Sequence, residues 1–177
     1  MTRTPAEIAE SLYARFEDSS ADFQQELYPY NSGRIVSYPA AKQKVDAALS
    51  AFAAALGSEQ EESLAVAGCA SQSREGQQEC ELVVFTYGLL LHASFSLDAD
   101  AGAGHPEVQI IPRSSLVSLS IKAASPYNQP TRPDRLQFSA VYENGLVLDF
   151  PLKGNRANNE SILGNVLDLL RTDLKNK

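Results

Sequence analysis

Between residues 136 and 174 the hydrophobic pattern runs first with a period of two and then with a period near 3.6. Leu136, Phe138, Ala140 and Tyr142 alternate with Gln137, Ser139, Val141 and Glu143, and after Asn144-Gly145 the beat resumes at Leu146, Leu148, Phe150 and Leu152. Both runs predict half-buried strands. A two-residue Asn144-Gly145 loop would set Val141 against Leu148 and Ser139 against Phe150, apolar face to polar face. A three-residue Glu143-Asn144-Gly145 loop removes the conflict by a one-residue slip, pairing Tyr142 with Leu146, Ala140 with Leu148, Phe138 with Phe150 and Leu136 with Leu152. The pattern therefore predicts Gly145 at positive φ in a type I turn with a bulge. Lys153-Gly154-Asn155 ends the second strand, Asn158 or Asn159 caps a helix, and Ile162, Leu163, Val166, Leu167, Leu170 and Leu174 form its apolar stripe.

Toward the N-terminus the period is helical. Thr4 and Glu7 make a T-x-x-E capping box, Pro5 takes the first helical position, and Ile8, Leu12 and Phe16 follow, predicting a helix from Pro5 to Glu17. A second short helical turn is expected from Ala21 to Leu27, followed by an ordered turn at Tyr28-Pro29-Tyr30. Pro39 opens another long helix with Ala41, Val45, Ala48, Leu49, Phe52 and Leu56 on one face and Gly57 as its stop. Its alanine-rich face admits a close neighbour, either the first helix or a second copy of the chain.

From Ser63 the texture changes. Leu64–Cys69, Glu81–Tyr87, Leu89–Leu97, Val108–Ile111 and Leu116–Ile121 are short runs rich in Val, Leu, Ile and Phe. Gly88 marks the reversal between the second and third, and Pro112-Arg113-Ser114-Ser115 the corner between the fourth and fifth. With the hairpin of residues 136–152 they make seven antiparallel strands before a terminal helix, an α+β arrangement with an N-terminal helical extension (1–57) and a β domain (63–177) in one compact unit.

The strand from Val83 to Leu91 through Thr86-Tyr87-Gly88, followed by Ile110-Ile111-Pro112-Arg113-Ser114-Ser115 and the alternating Leu116–Ile121, resembles the pleckstrin-homology-like (PH-like) barrels of bacterial proteins over about residues 63–175. The resemblance implies a seven-stranded curved sheet or barrel closed by the C-terminal helix. Members that bind phosphoinositides place several Lys and Arg around the first hairpin. Here residues 70–79 offer Arg74 against Glu75 and Glu79, so the resemblance does not extend to lipid headgroups.

Composition narrows the function classes. A chain of 177 residues with 15 Lys and Arg against 22 Asp and Glu carries a net charge of −7, which disfavours nucleic acid and anionic membranes as partners. The length suffices for a hydrophobic core without staples. No apolar run is long enough to span a bilayer, and the first residues lack the apolar core of a signal peptide, so the cytoplasm is the expected compartment.

The candidate chemistry is thin. Cys69 and Cys80 lie on two adjacent predicted strands, where pairing would allow either a cross-strand disulfide or two half-buried thiols. Asp98, Asp100 and His105 are weak candidates for a hard cation, but the string lacks the further oxygen ligands of a calcium loop, so no metal or cofactor is expected. The proline-stiffened connection at residues 123–134 brings Tyr127 and Arg132 together with Arg135 and Lys122, a positive spot able to meet a carboxylate or phosphate. Tyr28 and Tyr30 form a second contact candidate, with packing of the first helix as the other reading. His92 sits inside an apolar strand, and no nucleophile, metalloprotease, phosphate-loop or dinucleotide motif accompanies it, so no catalytic residue is assigned.

The expected function is a non-enzymatic module that binds a protein or peptide, as a monomer or a homodimer. Two alternatives stand beside it. One is a small-ligand binder or enzyme whose N-terminal helices cover a curved sheet and enclose a pocket that brings His92, Arg135 or Asp149 together with Tyr142. The other is an acidic chaperone-like adaptor.

Overall fold

The computed structural model describes residues 3–20, 38–57, 62–71, 78–97, 106–124, 136–153 and 160–176. In chain order these give α1 (Pro5–Ser19), α2 (Tyr38–Leu56), β1 (Glu62–Ser71), β2 (Gln78–Thr86), β3 (Leu89–Ser96), β4 (Gln109–Pro112), a 3₁₀ turn (Arg113–Ser115), β5 (Leu116–Ala123), β6 (Gln137–Tyr142), β7 (Val147–Phe150) and α3 (Glu160–Lys175). The class is α+β, and all strand pairings are antiparallel.

Among the described residues the seven strands do not close into one barrel. They divide into a four-stranded sheet, β1-β2-β3-β4, and a three-stranded sheet, β5-β6-β7. The division falls where Pro112 ends β4 and the 3₁₀ turn carries the chain over into β5. A proline has no N–H to continue a ladder, and the tight turn redirects the strand, so the corner separates two sheets that a smoother bend would have joined. Among the described residues no ladder joins the sheets at their other end, but the approach there is close. A Cβ on Gly68 of β1 would lie 2.5 Å from the Lys153 carbonyl oxygen and 2.6 Å from Leu152 Cβ. Gly68 is thus where the backbone following β7 crosses β1, and only a residue without a side chain fits.

Local predictions at the termini hold in detail. Thr4 Oγ1 accepts from the Glu7 N–H while the Thr4 N–H donates to Glu7 Oε2 at 2.7 Å, the reciprocal box that satisfies two of the helix's open donors. α1 runs two residues beyond the predicted Glu17 and ends at the extended Ser20, whose N–H donates to the Phe16 and Glu17 carbonyls, while Ser19 Oγ donates to the Phe16 carbonyl at 2.8 Å. Gly57 stops α2 at φ +66°. Gly145 has φ +86°, and the Tyr142 N–H donates to the Leu146 carbonyl. Phe138 pairs with Phe150 and Ala140 with Leu148, as the three-residue loop requires. The two phenyl rings stack at 5.0 Å. The predicted turn at residues 21–27 and the Asn158 or Asn159 cap lie outside the described residues.

Two cores flank the four-stranded sheet. On one face Ile8, Leu12, Phe16, Val45, Phe52 and Leu56 of α1 and α2 pack on Ala65, Ala67, Leu82, Val84 and Leu91. On the other, Val66, Val83, Phe85 and Leu90 pack on Phe138, Phe150, Leu163, Val166 and Leu170 of the three-stranded sheet and α3. The N-terminal helices are therefore one layer of the body, and α2 spends its small-residue face on α1 and the sheet, with Phe16 and Phe52 in edge-to-face contact at 6.1 Å. Each fully buried Leu, Val or Phe stabilises this arrangement by about 1.5–3 kcal/mol.

Candidate functional site

The edges of the two sheets differ in how they are covered. On β1 the Ala67 N–H donates to Ser19 Oγ at 3.0 Å, so the end of α1 occupies that edge. α3 touches β5, which nevertheless leaves Val117 and Ile121 half-exposed, and the chain leaving β7 lies against Gly68. β4 pairs with β3 on one side. On its other side, among the described residues, a solvent-open groove of about 630 Å³ separates Val108–Ile111 from the hairpin turn Asn144–Leu146. Ile111 points into the core, and Ile110, one residue earlier, is therefore turned to the opposite face, where it is 52% exposed. Among the described residues the groove's lining contains one carboxylate, Glu107, and no Lys or Arg.

One end of this face carries a buried ion pair. Arg113 donates through Nε and Nη2 to the two oxygens of Asp173 on α3, at 3.0 and 2.6 Å. Its Nη1 donates to the carbonyls of Thr86 and Tyr87 in the β2–β3 turn, at 2.6 and 3.0 Å. Both side chains are almost wholly buried. Fork geometry and four accepted bonds are what allow charges to be held in such a place, since a lone buried guanidinium would cost several kcal/mol. Beside them Tyr142 is buried with its hydroxyl unbonded among the described residues. Burial first, and the Asp173 carboxylate second, push its ionisation above the usual phenol range, against the opposing pull of Arg113. The effect is structural: the guanidinium ties α3 to the turn that presents Tyr87, which is 99% exposed.

The residues singled out from sequence are dispersed. Lys122 forms an exposed ion pair with Asp149 at 2.6 Å, and Ser139 donates to the same Asp149 oxygen. These bonds, Lys122 first and Ser139 second, hold the Asp149 carboxyl below the usual carboxylate range. His92 is buried with Nε2 3.0 Å from Glu81 Oε1. Both project toward the three-stranded sheet, since His92 pairs with Val83, whose side chain belongs to that core. Asp149 lies on the outer surface of the three-stranded sheet, and Tyr142 in the interior with Arg113. Asp149 is thus kept on the opposite face of the three-stranded sheet from Tyr142, and among the described residues the side of the four-stranded sheet beneath α1 and α2 carries the packed side chains of the first core. The β1–β2 register sets Cys69 directly opposite Cys80, and Cys80 is buried. Among the described residues no group of three or more His, Cys, Asp or Glu could hold a metal ion. Tyr28, Tyr30, Asp98, Asp100, His105, Tyr127, Arg132 and Arg135 lie outside the described residues.

Sequence reasoning passed over Arg113, Asp173 and Tyr87. One signal for them was present. Asp173 follows Leu170 by three positions and precedes Leu174, on the apolar stripe of α3, and a carboxylate on a buried face requires a cationic partner.

Comparison with known proteins finds no matching family model, no matching curated protein and no matching solved structure. Among the described residues no helix is long and apolar enough to cross a membrane.

Proposed function

We propose that the chain is a non-enzymatic protein-interaction module that takes an extended segment of a partner along β4, in the groove between that strand and the β6–β7 turn. The observation that carries this reading is the groove itself: β1 and the end of β7 are backed by other parts of the chain, whereas β4, among the described residues, borders an open groove with Ile110 exposed. An uncovered edge offers main-chain donors and acceptors to an added strand, and alternate side chains of that strand meet the groove wall. Glu107, the one charged residue among the described lining, favours a segment whose apolar residues are flanked by Lys or Arg. The PH-like architecture stays part of this proposal: seven antiparallel strands precede a terminal helix, as the resemblance implies, but in two sheets.

The test is selection of peptides from a displayed random library against the purified chain, followed by titration of the selected peptides into labelled protein. Selected sequences with an apolar-basic pattern, shifts at β4 and Asn144–Leu146, and loss of binding in Ile110→Glu are expected. Binding that maps to the outer surface of β5–β7 or to α1 and α2 would overturn the assignment of the site.

A further inference from the structure

We propose that Cys69 and Cys80 are a redox modification site, at which a small disulfide such as oxidised glutathione converts the two thiols into a disulfide joining β1 to β2. The chain has only these 2 cysteines, and the β1–β2 register sets them directly opposite each other. Opposition alone does not secure the bond, because the pairs of an antiparallel ladder are of two kinds that alternate along the strands. In one kind the two residues exchange both main-chain hydrogen bonds. In the other their N–H and C=O groups point outward, the Cα atoms draw in to about 4.5 Å and the side chains approach most closely. A disulfide spans about 4.4–6.8 Å between Cα atoms and needs its Cβ atoms within about 3.5–4.5 Å, so the second kind serves it better.

The first ground is the outer edge of β1. The Ala67 N–H donates to Ser19 Oγ at 3.0 Å, so the main-chain groups of Ala67 point away from β2, and Ala67 with Leu82 is a pair of the second kind. From Leu64 to Ser71 the register with β2 runs without a shift. Two steps along, Cys69 with Cys80 is therefore of the same kind.

The second ground reaches the same pair from the other side of the sheet. The Arg113 N–H donates to the Gly88 carbonyl, which continues the β3–β4 register one step beyond Leu89 and Pro112 and makes Gly88 with Arg113 a pair of the first kind. Pro112, which has no N–H, then stands where no bond to β3 is required. Alternation turns the main chain of Leu90 toward β4 and that of Leu91, Ala93 and Phe95 toward β2. Phe95 is the partner of Cys80, so the N–H and C=O of Cys80 face β3 and leave the side toward β1 unbonded. Two hydrogen bonds at opposite edges of the four-stranded sheet thus give one answer.

The third ground divides the roles. Cys80 is a reduced thiol buried in the core beneath α1 and α2, whereas Cys69 lies two positions before Ser71, where β1 ends. Cys69 therefore meets the oxidant first. Its thiolate attacks one sulfur of oxidised glutathione, forming a mixed disulfide and releasing one glutathione thiolate, which takes up a proton. Cys80 then gives up its proton and attacks the Cys69 sulfur, and the second glutathione leaves as a thiol. Two protein thiols become one disulfide while the glutathione disulfide is reduced to two thiols, so atoms and electrons balance. The bond closes one residue from Gly68, and oxidation thereby braces β1 where the backbone after β7 crosses it.

The experiment equilibrates the full chain with mixtures of reduced and oxidised glutathione, quenches it in acid and counts the remaining thiols by alkylation and intact mass, once for the folded chain and once for the chain unfolded in urea. The folded natural chain is expected to lose both thiols and two hydrogens, with the peptides that carry Cys69 and Cys80 joined within one chain. Its equilibrium constant against glutathione is expected to be at least about tenfold larger than that of the unfolded chain, because a bond that fits the native register restrains only the unfolded state. Cys80→Ala is expected to stop at one attached glutathione, and Cys69→Ser to stay unmodified while folded, with circular dichroism as the check on both. A ratio at or below one, or disulfides between chains in place of the internal one, would overturn the site from the natural chain alone, whatever the folding of the variants. Glutathione attaching faster to Cys69→Ser than to Cys80→Ala would overturn the assignment of the first attack to Cys69.

Discussion

The middle of the four-stranded sheet is buried on both faces, by α1 and α2 on one side and by the second sheet and α3 on the other, and Leu82, Val83, Val84 and Phe85 of β2 are all without solvent exposure. The three-stranded sheet is buried on one face only. Its inner positions, Phe138, Ala140, Leu148 and Phe150, are covered, while Ser118, Ser120, Val147 and Asp149 face solvent or its margin. The difference teaches where substitutions should matter: neither side of β2 is free to change, whereas every second position of β7 is.

The strongest test of that contrast removes side chains from each sheet in turn. Leu82→Ala strips the helix-facing side of β2, and Phe85→Ala the side facing the second sheet; each is expected to cost about 2–5 kcal/mol of unfolding free energy, by lost transfer and a residual cavity. Val147→Ala on the outer face of β7, at 52% exposure, is expected to change stability by no more than about 0.5 kcal/mol. Urea midpoints for the three variants decide it. A small loss in Leu82→Ala with a large one in Phe85→Ala would mean that α1 and α2 are only loosely attached to the sheet.

A somewhat smaller effect is expected where the two sheets meet. In Gly68→Ala the new Cβ would fall within 2.6 Å of the Leu152 Cβ and even nearer the Lys153 carbonyl oxygen. One of these is backbone and cannot rotate away, so the segment after β7 has to shift, at about 1–3 kcal/mol. Proteolysis is expected to reveal earlier cutting at the end of β7 in this variant. Unchanged stability would show that the crossing at Gly68 has slack and that the sheets are not pinned there.

The same asymmetry explains how legible the fold was. In the three-stranded sheet one face is wet, so the alternation through Leu136–Leu152 was clean, and the mismatch of Val141 with Leu148 was enough to fix register and place Gly145 in the left-handed region. In the four-stranded sheet, Leu82–Phe85 and Leu89–Leu91 are unbroken apolar runs. Such runs mark strands covered on both sides, and read that way they would have made α1 and α2 a covering layer rather than an extension. The division into two sheets was not visible, because it depends on how the Arg113–Ser115 turn aims β5 and not on any change of period. The groove could not be read either, since it brings residues 108–111 beside residues 144–146 through tertiary packing alone. The Arg113–Asp173 pair spans sixty positions; half of it was marked by an acid on the stripe of α3, but nothing local identified its partner.

The smallest expected effect belongs to the wet face. Asp149 accepts from Lys122 and Ser139, and both bonds favour its charged form. Its folded-state ionisation therefore lies below that of the unfolded chain, so the contribution is fully present above the ordinary carboxylate range and is lost as pH falls through the lower, folded value. Lys122 and Asp149 are more than half exposed, and water and salt reduce such a pair to under about 1 kcal/mol. Asp149→Asn keeps the shape and an acceptor for Ser139 but removes the charge. The natural chain is expected to exceed this variant slightly in urea midpoint at neutral pH, with the gap narrowing in added salt and vanishing once acid has protonated Asp149. A gap that widened toward acid would mean that the carboxyl is held above its ordinary range, and that the outer face of the three-stranded sheet is drier than its exposed Lys122 and Val147 indicate.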